Sequence, residues 1–193
     1  MRIISGKLKG NKLLSYPSNL LIRPTTDRLK ETLFSIIQSE KYSEDIVGKN
    51  FLDLCSGSGG IGLEAFSRGA KKIYMVDKSQ NAINLIYKNV SKLKVHTELE
   101  NKIFILKLDI TKINTLKLPN IDFVYFDPPY RSKIYLDIIK IISTSNFFKN
   151  SSILFVESNY PIDLGKINLN LMFLKKIGSS YLQGFKKWSN SFK

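Results

Sequence analysis

Four consecutive residues, Asp127, Pro128, Pro129 and Tyr130, end the apolar run DFVYF with a carboxylate, two rings that carry no N–H and a phenol. Such a set suits an amino group attached to a nucleobase. That nitrogen is a poor nucleophile because its lone pair is delocalised into the ring, and it attacks only when the lone pair is aimed at an electrophile. The Asp127 carboxylate and a backbone carbonyl held by the prolines can accept both N–H bonds, while the fixed φ of proline leaves no competing donor. Tyr130 can stack on the base, a contact worth about 1–3 kcal/mol. Chemistry of this kind rests on alignment, which can remove roughly 7–11 kcal/mol of barrier.

A second constellation lies upstream in FLDLCSGSGGIGLEAFSRG, which reads as a strand, a glycine-rich turn and a helix. Gly57, Gly59 and Gly62 have the G-x-G-x-x-G spacing that lets backbone N–H groups and a helix N-terminus approach a ligand. On its own this fits a nicotinamide dinucleotide as well. Asp77, 18 residues after Gly59, can accept both hydroxyls of a ribose in either case. Asp53 discriminates: a carboxylate beside the loop repels a pyrophosphate, whereas S-adenosylmethionine has no phosphate and brings an ammonium and a sulfonium. Asp109, in ILKLDI, is placed to receive an adenine amino group. Ser56 and Ser58 line the loop, and Cys55 has no histidine placed to activate it as a nucleophile.

Elements must hold these groups together. From Asn50 onward, strand-length apolar runs alternate with stretches of helical period, which predicts βα units around a parallel sheet covered on both faces. NFLDLC, KIYMVD, KIFILKLD, DFVYFD, SILFVES, LMFLKKI and YLQGFKKW are the expected strands, with helices starting near Gly60, Ser79, Thr111 and Ser132. The last two strands leave no room for a helix between them, so an antiparallel edge hairpin is expected. Asp53, Asp77, Asp109 and Asp127 stand in or at the ends of successive strands and are expected to converge at the carboxyl edge of the sheet, where open α/β sheets bind ligands. Before this unit, MRIISGKLKGNKLLSY reads as a basic hairpin turning between Gly6 and Gly10. In RPTTDRLKETLFSII, Thr26 or Asp27 can cap a helix carrying Leu29, Leu33, Ile36 and Ile37.

The chain has 193 residues, a length that suits one well-filled core, divided here into a basic hairpin extension over 1–20 and a domain over 21–193. No apolar run reaches the roughly 20 residues of a membrane span and the N-terminus lacks a secretory core, so a cytoplasmic location is expected. One cysteine and one histidine, His96, leave no material for a thiolate metal centre, and no metal is expected. A net charge of +14 points to a polyanionic partner. Only five of the 30 basic residues are arginine; Arg2, Arg23 and Arg28 lie in the first 28 residues, and Arg131 directly follows the Asp-Pro-Pro-Tyr motif. Where lysine is the default cation, arginine suggests use of its planar fork on phosphate or base.

FLDLCSGSGGIGLEAFSRGA, VYFDPPY and RPTTDRLKETLFSII together resemble the RsmD family of bacterial methyltransferases, and RIISGKLKGNKL is similar to that family's opening hairpin. The first two motifs are shared with DNA adenine-N6 and protein glutamine methyltransferases; RPTTDR is the discriminating segment. The resemblance implies a class I S-adenosylmethionine-dependent methyltransferase fold, a Rossmann-like α/β sheet, mostly parallel, with an antiparallel edge hairpin. It implies transfer of a methyl group to the exocyclic N2 of a guanine in 16S ribosomal RNA, free or within a 30S particle. Catalysis then falls to Asp127, Pro128, Pro129 and Tyr130. The cofactor loop falls on Asp53 to Gly62, including Ser56, Gly57, Ser58 and Gly59, with Asp77 on the ribose. Substrate contacts fall to Arg23, Thr25, Thr26, Arg28 and Arg131. A DNA adenine enzyme or a non-catalytic RNA-binding assembly factor are the alternatives, and a monomer is expected.

Overall fold

A computed structural model describes residues 1–16, 26–39, 45–93, 101–129 and 134–187. Seven strands form one sheet: β1 (Asn50–Leu54), β2 (Lys72–Asp77), β3 (Ile103–Lys107), β4 (Ile121–Phe126), β5 (Phe148–Ser158), β6 (Leu169–Ile177) and β7 (Ser180–Lys187). Their order is β3-β2-β1-β4-β5-β7-β6. The first five are parallel to one another, and β7 runs antiparallel between β5 and β6. The expected edge hairpin is present, turning at Gly178, whose φ of 62° is a backbone state that favours glycine.

The helices are α1 (Asp27–Ile37), α2 (Gly60–Ser67), α3 (Gln80–Lys92) and α4 (Tyr135–Thr144). The segment expected to be helical near Thr111 is a short 3-10 helix, Ile110–Thr115, capped by Asp109. Ser132 lies outside the described residues, and α4 begins at Tyr135. Successive strand residues face opposite sides, so each strand feeds two cores. Phe51, Ile73, Met75, Phe123 and Phe155 pack beneath α1 and α2. Leu52, Leu54, Val76, Val124 and Phe126 pack against Ile138, Ile139 and Ile142 of α4. Burial on both faces is why these strands read as continuous apolar runs.

The N-terminal residues close on themselves through one antiparallel bridge, Arg2 to Lys12. Ile3, Leu8 and Leu13 enter the same core as α1 and α2. Helix α2 receives this segment with unusual polarity. Glu64 is fully buried and accepts from the N–H groups of Ile4 at 2.8 Å and Ser5 at 3.0 Å, while Arg68 Nε donates to it at 2.8 Å. One turn on, Ser67 Oγ accepts from Leu8 N at 2.9 Å.

Candidate active site

The crossover at β1, whose neighbours β2 and β4 lead to opposite halves of the sheet, opens a crevice above the strand ends. Cys55, just past β1, has φ 61°, and Gly57 and Gly59 follow with φ 56° and 77°. These left-handed residues bend the chain from β1 into α2. A Cβ added at Gly57 would have no neighbour nearer than Cys55 O at 4.0 Å, so the loop presents bare backbone to open space. That is the cradle a close-fitting ligand needs. Gly62 serves packing instead, since a Cβ there would lie 2.7 Å from Met75 Cγ.

Two acids hold this loop. Asp77, at the end of β2, accepts from Gly57 N at 3.0 Å through one oxygen and from Ser79 N at 2.8 Å through the other. Ser79 in turn caps α3, accepting from Ala82 N. Asp53 is only 2% exposed and accepts from Gly62 N at 2.9 Å. One of its oxygens thereby ties β1 to the first turn of α2. Burial raises its pKa to about 7, against the opposing Gly62 hydrogen bond, and the Asp77 charge adds to the rise. Ser56 is likewise internal, donating to Asp53 O at 2.6 Å from a buried position. Ser58 Oγ lies 3.7 Å from Met1 Sδ, and its carbonyl accepts from Asn89 Nδ2 at 2.9 Å.

A carboxyl whose pKa rises on folding opposes the folded state once it ionises. The folded protein then holds more protons than the unfolded chain between the ordinary carboxyl value of 3.8 and about 7, so this contribution is lost as pH rises through that window. Asp53→Asn retains an acceptor for Gly62 and removes the charge. Urea unfolding of both proteins should show wild type losing on the order of 2 kcal/mol relative to the variant between about pH 5 and 7. Parallel stability curves would show that Asp53 does not titrate there.

Asp127 directly follows β4, and its N–H approaches Leu54 O at the end of β1 at 3.4 Å. Pro128 is buried beneath it and Pro129 is exposed. Burial raises the Cys55 thiol pKa most, followed by the charges of Asp77, Asp127 and Asp53, with Lys78 opposing. Those three acids therefore all act on Cys55. Asp109 stands apart as an exposed cap that accepts from Thr111 N at 3.0 Å and Thr111 Oγ1 at 2.9 Å. These bonds lower its pKa, helped by Lys78, which acts on both Asp109 and Cys55. The expected convergence of four acids is thus a group of three with Asp109 at the margin.

Of the substrate residues expected from RPTTDR, Thr26 caps α1, its Oγ1 accepting from Leu29 N at 3.2 Å, and Arg28 is exposed in the first turn. Arg23, Thr25, Tyr130 and Arg131 lie outside the described residues. Asp27 bonds Arg2 Nε at 3.1 Å and pairs with the fully buried Lys30 at 3.2 Å, while Lys30 also donates to Arg2 O. The N-terminal turn and the start of α1 are thereby joined. Asn89 joins the same turn to the glycine loop, accepting from Leu14 N at 2.7 Å and donating to Leu14 O and Ser58 O. Tyr16 reaches the crevice as well. Its phenol pKa is raised by burial first and by Asp77 second, against a hydrogen bond with Ser79.

A seven-stranded sheet in this order, with a glycine loop after β1 and acids closing β2 and β4, is the Rossmann-like fold of class I S-adenosylmethionine-dependent methyltransferases. The chain belongs to the family described as conserved hypothetical protein 95, whose sequence profile matches residues 1–186, and the RsmD resemblance is thereby borne out. It is 34% identical to the ribosomal RNA small subunit methyltransferase D of Haemophilus influenzae, over 82% of this chain and 78% of that one. To the protein of the same name from Buchnera aphidicola subsp. Baizongia pistaciae it is 30% identical, over 91% and 85%. A solved structure of an Escherichia coli protein superposes with a TM-score of 0.80 at 26% identity, covering 97% of each chain.

Proposed function

We propose that this protein methylates small-subunit ribosomal RNA, transferring the methyl group of S-adenosylmethionine to the exocyclic N2 of a guanine in 16S RNA. The observation that carries this reading is the juxtaposition of Asp127-Pro128-Pro129 with the bare Gly57 backbone, across the paired ends of β4 and β1. The relatives' shared name supports ribosomal RNA as the substrate.

S-adenosylmethionine, when bound, supplies an electrophilic methyl group. The residues that would hold it are Gly57 and Gly59 through their backbone, Asp77 through lone pairs left by its two backbone bonds, and Asp109 at the margin. Asp53 acts indirectly by fixing the turn from β1 into α2. The Asp127 carboxylate and a carbonyl of the following prolines accept the two N–H bonds of the guanine amino group, which turns its lone pair toward the methyl carbon. Transfer would break the methyl–sulfur bond and leave the cofactor as a neutral thioether; the nitrogen that gains the methyl must release one proton, and an Asp127 oxygen is the acceptor already bonded to it. Tyr130 covers the base.

The direct test incubates the protein with radiolabelled S-adenosylmethionine and small subunits from a strain lacking it, then maps the modified base. Label on guanine N2 of 16S RNA is expected; label on adenine, on protein or nowhere would overturn the reading. Arg28 and Arg23 are assigned to RNA phosphates. Arg28→Ala should weaken RNA binding and make its salt dependence shallower by about one unit of slope. An unchanged slope would give Arg28 a purely structural role.

A further inference from the structure

The proposed function uses the carboxyl ends of the parallel strands. At their opposite ends lies a basic region that it leaves unexplained. Two adjoining hollows, of about 440 Å³ and 560 Å³, meet at Thr144 and Lys187. Lys140 and Lys166 line the first, Lys149, Asn150 and Ser151 the second, and no carboxylate lines either among the described residues.

This region has a built shape. Between the pairs Ile121–Phe148 and Phe123–Ile153, β5 carries three residues more than β4 can match, and they bulge outward. Ser152 fixes the bulge: it is buried, donates to Ile121 O at 2.6 Å and accepts from Lys149 N at 2.8 Å. Lys149, Asn150 and Ser151 are consequently displayed to solvent. Lys187 is set over the Phe148 ring at 5.7 Å. Its ammonium pKa is lowered by partial burial first and by the Lys149 charge second. Holding two cations this close opposes folding and is offset when an anion sits between them.

Two structural explanations for the lysines fail. They are not required as caps of α4. Two of its last carbonyls are met without them, Ile141 O by Ser145 Oγ at 2.6 Å and Ile142 O by Ser145 N at 3.1 Å. Nor is the nearby Asp122 their partner, since it accepts from Asn50 N at 2.8 Å and pairs with Lys49 at 3.9 Å on the β1 side.

We propose that these hollows form a second RNA site, in which Lys140, Lys149, Lys166 and Lys187 grip the phosphodiester backbone of the same RNA whose base enters the crevice. Along β4 the site lies about 20 Å from Asp127, at roughly 3.3 Å per residue. One RNA must therefore reach both ends of the sheet. The inference rests on the ribosomal RNA reading above.

The test compares wild type, Lys149→Gln/Lys166→Gln, and Lys71→Gln/Lys92→Gln, which removes equal charge from exposed positions elsewhere. Binding to purified folded 16S RNA is measured across sodium chloride concentrations, together with kcat at saturating RNA. The Lys149/Lys166 pair should lose about tenfold in affinity at 0.1 M salt, with a slope shallower by about 1.4–1.8, at roughly 0.7–0.9 per phosphate contact. Its kcat and its affinity for S-adenosylmethionine should stay unchanged. If both double variants lose slope equally, or neither does while wild type binds steeply, the second site is overturned and the proposed activity stands. Wild type that binds RNA without salt dependence overturns both.

Discussion

Asp127→Ala should fold, bind S-adenosylmethionine nearly as wild type does, and transfer methyl groups about 10²–10³-fold more slowly, the usual cost of one preorganised polar contact to a reacting group. Cofactor binding should survive because the glycine loop is held by Asp53 and Asp77, through Gly62 and Gly57. The backbone at Asp127 should survive too, since its contact with Leu54 is made by the main-chain N–H. Asp127→Asn divides the effect further. An amide keeps one acceptor oxygen for an N–H of the base but is a very weak proton acceptor. If orienting the amino group is the main contribution, Asn should recover most of the rate; if taking the proton is, Asn should be as slow as Ala. Single-turnover rates on small subunits make the comparison, and an Ala variant with wild-type turnover would remove Asp127 from the mechanism.

The central strands β1, β2 and β4 were legible because burial on both faces leaves their sequences mostly apolar, and the edge hairpin because nothing separates LMFLKKI from YLQGFKKW. Asp77 and Asp127 were legible for a related reason. An acid that ends an apolar run must lie at the sheet edge, where the chain leaves the core. That rule does not specify what the acid's oxygens meet. Asp53 lies within β1 and is buried, so it serves the fold of the loop, whereas Asp109 falls beyond β3 and caps a 3-10 helix. The attachment of the N-terminal turn was hidden more deeply, because Glu64 and Asn89 reach partners 59 to 75 residues away. A signal for Glu64 did exist. An acid within GIGLEAFS, a helix with every residue buried, needs donors from somewhere, and its own helix offers only Arg68.

Glu64→Ala should be the most destabilising of the substitutions considered, at about 3–5 kcal/mol, because it strands Arg68 and two backbone N–H groups of the N-terminal turn in a part of the protein with little water. For a chain of this size the loss corresponds to a fall in Tm of about 10 °C. Glu64→Gln keeps one acceptor and the shape of the side chain, so it should fall between Ala and wild type. The damage should also be directional. Met1 packs against Gly60, where its Sδ would lie 2.7 Å from an added Cβ, and Asn89 ties Leu14 to Ser58. Loosening the turn therefore frees one wall of the glycine loop. In Glu64→Ala, cleavage at Lys7 or Lys9 by trypsin should accelerate, and affinity for S-adenosylmethionine should fall although Glu64 touches nothing in the crevice. Lower stability with unchanged cofactor affinity would confine Glu64 to the core; loss of both would make the N-terminal turn part of the cofactor site's support.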